Sequence, residues 1–266
     1  IIFSNDADRQ LYLRAGSAPA APLTRAVQSR YADMCPDPGR RRWLAIVEEH
    51  TGSAPPRNFV AALDADTGAQ TTLCEGRDFY ASPRLSADGK RLAWLAWDQP
   101  NMPWDGCELF SADLSADGTL GSEHRVAGAP DESIFQPSWA PDGSLYFVSD
   151  RSGFWNLYRW RDGATVAVYP AKRDFGRAQW VFGLTTYACL SAELLACTFV
   201  QDGQWRCGIL DTRTSALREV ALPYSELSYM CADAQYAYCV AAGPRSPDCI
   251  IRIDACSGSH EVIHQS

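Results

Sequence analysis

One segment recurs along this chain, and its recurrence limits the fold more than any other feature. The run Gln136-Pro137-Ser138-Trp139-Ala140-Pro141-Asp142-Gly143-Ser144-Leu145-Tyr146-Phe147-Val148-Ser149-Asp150-Arg151-Ser152-Gly153 has a weaker copy at Ser82–Leu95. A third copy begins near Ala32, where Cys35-Pro36-Asp37-Pro38-Gly39 precedes Trp43–Val47. Each reads as an apolar strand, a turn containing Asp and closed by Gly, and a second apolar strand. Self-similarity at such a period predicts an array of small antiparallel sheets.

Strand-type alternation extends beyond the repeats, and amphipathic helical patterns are missing. Strands are predicted at Leu92–Trp97, Glu108–Asp113, Ser144–Ser149, Asn156–Trp160, Leu194–Val200, Arg206–Asp211, Ala237–Ala241 and Cys249–Asp254. Turn formers separate them: Ala87-Asp88-Gly89, Asp162-Gly163, Asp202-Gly203 and Ser257-Gly258. In Ala140-Pro141-Asp142-Gly143, Pro presets φ, Asp accepts a local backbone hydrogen bond and Gly supplies positive φ. Four such strands make one blade of a β-propeller. The expected blades are approximately 1–30, 31–80, 81–130, 131–180, 181–223 and 224–266. The first lacks an inner strand and its hairpin. The chain opens at Ile1-Ile2-Phe3-Ser4-Asn5, which reads as mid-strand, so a fragment of a longer protein is expected.

With 46% hydrophobic and 21% charged residues, a packed core is affordable and disorder is not expected. The net charge of −8 opposes binding to a phosphate backbone, and no apolar run is long enough to span a bilayer as a helix. Neither nucleic acid nor membrane is therefore an expected partner. Arg40-Arg41-Arg42 reads as a solvated hairpin edge. None of the ten cysteines forms a CxxC pair. Cys189, Cys197 and Cys207 are spaced by 8 and 10 residues, as are Cys231, Cys239 and Cys249, and the same steps lead from Trp139 to Phe147 and Leu157. Cysteine thus stands in columns held elsewhere by large apolar side chains, which predicts buried, reduced thiols and a cytosolic protein.

Phe79–Gly89, Pro100-Asn101-Met102-Pro103-Trp104-Asp105-Gly106, Asp131–Pro137 and Ser149–Tyr158 together resemble bacterial serine peptidases of the prolyl oligopeptidase family, in particular the acylaminoacyl-peptidase or dipeptidyl-aminopeptidase-like branch. The resemblance covers the whole chain. It implies an all-β propeller of about six four-stranded blades out of a parent's seven. In that family the propeller covers a separate α/β-hydrolase domain that carries Ser, Asp and His and gates the entry of peptides. No GxSxG nucleophile elbow occurs in this sequence, so no catalytic residue, cofactor or metal is assigned, and the chain alone is expected to be inactive. The implied partners are the hydrolase domain and peptide substrates. A stand-alone TolB-like interaction scaffold is the alternative. A metal-dependent propeller hydrolase would need more acidic groups around the channel than Asp131 and Glu132.

Candidate contact residues fall at expected starts of inner strands and in one loop. Arg30-Tyr31, Phe79-Tyr80, Ile134-Phe135-Gln136 and Phe175-Gly176-Arg177 mark the starts. Of these, Tyr80, Phe135, Gln136 and Arg177 could meet peptide or the partner domain, although packing between blades explains aromatics there equally simply. Asn101, Met102 and Trp104 lie in a long loop stiffened by Pro100 and Pro103, suited to anchoring an interface. Asp131 and Glu132 could hold a peptide amino group, or pair with Arg151 or Arg177. Asp150 and Arg151 are expected to order their own turn.

Overall fold

The computed structural model describes residues 1–52 and 55–266, which form six antiparallel sheets arranged as propeller blades. The first has three short strands, β1 (Ile2–Ser4), β2 (Leu11–Leu13) and β3 (Ala21–Pro22). Four strands make each later sheet. The second contains β4 (Ser29–Asp37), β5 (Arg42–Glu49), β6 (Arg57–Asp64) and β7 (Gln70–Glu75). The third contains β8 (Phe79–Leu85), β9 (Arg91–Trp97), β10 (Glu108–Asp113) and β11 (His124–Gly128). The fourth runs through β12 (Ile134–Trp139), β13 (Leu145–Ser149), β14 (Asn156–Arg161) and β15 (Ala164–Ala167). The fifth has β16 (Tyr187–Cys189), β17 (Leu194–Gln201), β18 (Gln204–Asp211) and β19 (Ala216–Val220). The sixth has β20 (Glu226–Ala232), β21 (Tyr236–Gly243), β22 (Ser246–Asp254) and β23 (His260–Gln265).

Within each sheet the strands pair in chain order, and the first strands pack against one another: β4 against β8, β8 against β12, β16 against β20. That places them innermost. The repeated hairpin forms as its chemistry requires. Gly143 has φ +80°, its N–H donates to the Ala140 carbonyl at 3.0 Å, and Asp142 Oδ1 accepts the Ser144 N–H at 3.0 Å. Asp202 and Gly203, with φ of +51° and +73°, turn β17 into β18 in the two-residue manner that matches strand twist.

The core lies between sheets. Along β9, Leu92, Trp94 and Ala96 pack with Leu44, Ile46 and Val60 of the second sheet. The alternate residues Ala93, Leu95 and Trp97 pack with Ile134, Leu145 and Phe147 of the fourth. A strand buried on both faces reads as an unbroken apolar run, which is why Leu92–Trp97 carries no polar residue. In β21 the pattern alternates instead: Ala237, Cys239 and Ala241 are buried against the fifth sheet, while Tyr236, Tyr238 and Val240 are only partly covered.

All ten cysteines are free thiols. Cys197, Cys207, Cys239 and Cys249 are buried in the cores that join the last three sheets, and burial pushes the Cys207 thiol up to about 12. Only Cys231 and Cys256 are exposed. A thiol reagent at neutral pH should therefore label two cysteines quickly and the fully buried ones only on unfolding. Rapid labelling of Cys197 or Cys239, located by peptide mapping, would contradict this packing.

Two expectations need correction. The inner strand of the fifth sheet begins at Tyr187, not at Phe175. Phe175 is buried in the core next to Phe199, and residues 170–186 form a long excursion before the strand. The basic run is not a solvated edge either. Only Arg41 is exposed, paired with Asp66 at 2.7 Å. Arg40 and Arg42 both bond the buried Asp37 carboxylate, at 3.1 and 2.8 Å. Arg40 continues to the Gly89 and Ser115 carbonyls of the third sheet, and Arg42 to that of Gly118. The turns of the neighbouring sheet present carbonyls with spare acceptor capacity, and these guanidinium groups bond them.

Candidate interface at the channel mouth

The starts of β4, β8 and β12 lie at one end of the propeller, and the segments just before β8, β12 and β16 gather there with the β9–β10 loop. Residues 98–106 are folded tightly by their own backbone. The Asp105 and Gly106 N–H groups donate to the Met102 carbonyl, and Asp105 Oδ2 accepts the Met102 N–H at 3.0 Å. The loop is fastened to the segment before β12. Asn101 Nδ2 donates to the Pro130 carbonyl at 2.8 Å, and Ser133 Oγ to the Pro103 carbonyl at 2.9 Å. Gly106 is required at this junction, because a Cβ there would stand 2.1 Å from the Pro130 oxygen. Held in this way, Met102 is exposed and Trp104 packs against Trp180 with ring centroids 4.1 Å apart and planes inclined at 41°.

Trp180 belongs to the excursion before β16, as do Val181 and Phe182. Their exposures of 73%, 54% and 44% make this the most solvent-facing apolar run on the face. Phe182 reaches a cavity of about 190 Å³ between the second and third sheets, where it meets Arg30, Tyr31, Glu48, Phe79, Tyr80 and Trp97. The excursion therefore touches the third sheet through Trp104 and extends to the second through Phe182. Sequence reasoning missed Trp180–Phe182. The signal available was an aromatic run between Gly176 and Gly183 in a segment longer than a blade connection needs.

The predicted contact residues separate by burial. Asn101, Met102 and Trp104 form the rim just described, and Tyr80 lines the cavity. The Tyr80 hydroxyl accepts the Arg77 N–H at 3.0 Å, and burial pushes its pKa up to about 12. Asp131 is exposed, whereas the Glu132 carboxylate is already occupied by Ser149 Oγ at 2.5 Å and Arg151 at 2.7 Å. Arg177 is not its partner. That guanidinium pairs with Glu226 at 2.9 Å, bonds the Leu227 carbonyl and stacks on Trp205, tying the excursion to the fifth and sixth sheets. Asp150 Oδ1 accepts the Ser133 N–H, and burial raises its pKa.

Phe135 and Gln136 are buried. Phe135 stacks on Trp155, and Gln136 spans two sheets: its Nε2 donates to the Tyr187 carbonyl and its Oε1 accepts the Thr186 N–H, both at 2.6 Å. Gln136 has φ +50° at a β-bulge, and Asp33, Ser82 and Tyr229 hold the same left-handed conformation at the bulges of β4, β8 and β20. Asp33 uses it to accept the Ser82 N–H at 2.6 Å and to pair with Arg84 at 3.0 Å. At these two bulges the innermost strand thus turns a polar side chain toward the next sheet, a device the sequence did not reveal.

The fold is that of a β-propeller of the peptidase-associated kind. A solved puromycin hydrolase shares 33% identity over all of the chain and 43% of its own length, with a TM-score of 0.92. A puromycin-hydrolyzing peptidase from Mycobacterium tuberculosis shares 32% identity over 99% of the chain and 43% of its own, with a TM-score of 0.89. Dipeptidyl-peptidase 5 of Porphyromonas gingivalis is 30% identical over 94 residues, which are 35% of this chain and 13% of that protein. No family model matches. The chain spans less than half the length of these puromycin-cleaving enzymes. Over its whole length it resembles the propeller region of peptidases of the prolyl oligopeptidase family.

Proposed function

We propose that this propeller admits peptides to a serine peptidase whose nucleophile resides in an α/β-hydrolase domain elsewhere in the same protein, in a reducing, cytosolic compartment. The observation that carries the reading is the match over the whole chain to two puromycin-cleaving enzymes, of which it represents 43%. The mouth supports it. Met102 and Trp180–Phe182 expose apolar side chains at the end of the innermost strands, with Trp104 packed on Trp180, and large aromatics on proline-stiffened loops are the residues that anchor interfaces. The ten free thiols favour the reducing compartment.

The isolated 266-residue chain is expected to release no product from aminoacyl p-nitroanilides. Turnover by that chain, lost on mutating a residue within it, overturns the proposal. In the full-length enzyme, Trp104→Ala should loosen the excursion. A stacked aromatic pair contributes about 0.5–1.5 kcal/mol, so kcat/KM for long peptides relative to short ones should rise by roughly two- to tenfold. An unchanged length preference would remove the loop from the gate.

A further inference from the structure

A cavity lies behind Phe182 between the second and third sheets. Half of its lining residues carry rings: Tyr31 and Tyr80 are buried and fixed, and Phe79 stacks on Trp97 with centroids 5.5 Å apart. Phe182 is the exception, since it is substantially exposed and comes from a distant segment. Polar groups are confined to one side, where Arg30, Glu48 and Asn58 retain bonding capacity. Arg30 uses Nη1 for the Val27 and Ser29 carbonyls, leaving Nη2 and Nε without a partner among the described residues. Glu48 gives Oε1 to His50 at 2.6 Å, and Asn58 uses only its Nδ2, toward the Asp78 carbonyl.

Size decides what such a site can hold. Cavities for whole drug-sized ligands run from about 300 to 1,000 Å³. This one, at about 190 Å³, takes one side chain and not a whole small molecule. Ring walls favour a planar side chain, because offset and edge-to-face stacking add to the gain from burial. A carboxylate, an amide oxygen and a guanidinium on one side match the N–H and C=O groups of a peptide backbone lying along the rim.

We propose that this cavity is an anchoring subsite for an aromatic side chain of an incoming peptide, with Phe182 as its movable outer wall. The peptide main chain then runs over Arg30, Glu48 and Asn58. The idea rests on the reading that this face meets peptides and adds the class of residue it selects. Phe182 is the wall best suited to move, because it is 44% exposed and comes from the excursion, whereas the other rings stand on or beside the strands of the second and third sheets.

Fluorine NMR on the 266-residue chain tests this with Gly-(4-fluoro-Phe)-Gly as probe and Gly-Phe-Gly or Gly-Ala-Gly as competitors. Burying the ring should make Gly-Phe-Gly compete at least about tenfold better than Gly-Ala-Gly. Phe182→Ala should weaken the probe by about fivefold or more, and Phe182→Leu, which keeps an apolar wall without a ring, by less. Both substitutions fall at an exposed position, and an unchanged circular dichroism spectrum establishes folding. Equal competition by the two peptides, or wild-type affinity in Phe182→Ala, overturns the subsite. Either result leaves the gating proposal standing, because that proposal is judged by length preference in the full-length enzyme.

Discussion

Replacing Asp37 by alanine should lower the stability of this propeller by about 3 kcal/mol, the low end of what removing one partner from a buried ion pair costs. Its side chain is 1% exposed and lies between Arg40 and Arg42, which are 15% and 13% exposed. Without the carboxylate, two guanidinium groups remain largely desolvated beside each other, held only by backbone carbonyls of the third sheet. Their residual contact with water is the reason for choosing the lower figure. For a domain of this size the loss corresponds to roughly 6–12 °C in Tm. Asp37→Asn, which keeps an acceptor but removes the charge, should fall between. If Asp37→Ala unfolds within a degree or two of the wild type by calorimetry, the cluster is a surface network and not a joint between sheets.

The same cluster shows where sequence reading stops. The hairpins were legible because their cause is local: Asp142 and Gly143 supply an acceptor and a positive φ within one turn. Burial on both faces also leaves a local trace, as in the unbroken apolar run of β9. The Arg40 partners, however, lie at Gly89 and Ser115, far along the chain, and a charged run carries no mark of carbonyls supplied by another sheet. The inner strand of the fifth sheet was misplaced for a related reason. β16 has three residues, too few for a periodic signal, whereas Phe175 sits in the core and imitates a strand start. At the mouth, Asn101–Trp104 announced itself through prolines and an apolar tip. Trp180–Phe182 did not, because its position over the cavity depends on where the excursion lands.

Gln136→Leu should be comparably destabilising, by about 2–4 kcal/mol, although it exchanges one buried side chain for another of similar size. The amide is used on both sides, donating to the Tyr187 carbonyl and accepting the Thr186 N–H in a region shut off from water. Leucine leaves both backbone groups buried without partners, and each such group costs about 1–3 kcal/mol. A second effect adds to this. Gln136 holds φ +50°, a conformation that γ-branched leucine tolerates less well than polar residues do. Gln136→Glu separates the terms: its carboxylate retains the acceptor for Thr186 but cannot donate to Tyr187, so it should lose one bond and set a charge against a carbonyl. Urea denaturation should rank the wild type above both variants. Amide exchange should show Thr186 N–H losing protection in Gln136→Leu but keeping it in Gln136→Glu at urea concentrations where both remain folded. Protection retained in Gln136→Leu would mean that the fourth and fifth sheets are joined by their apolar core alone, through Phe135, Tyr187 and Phe199.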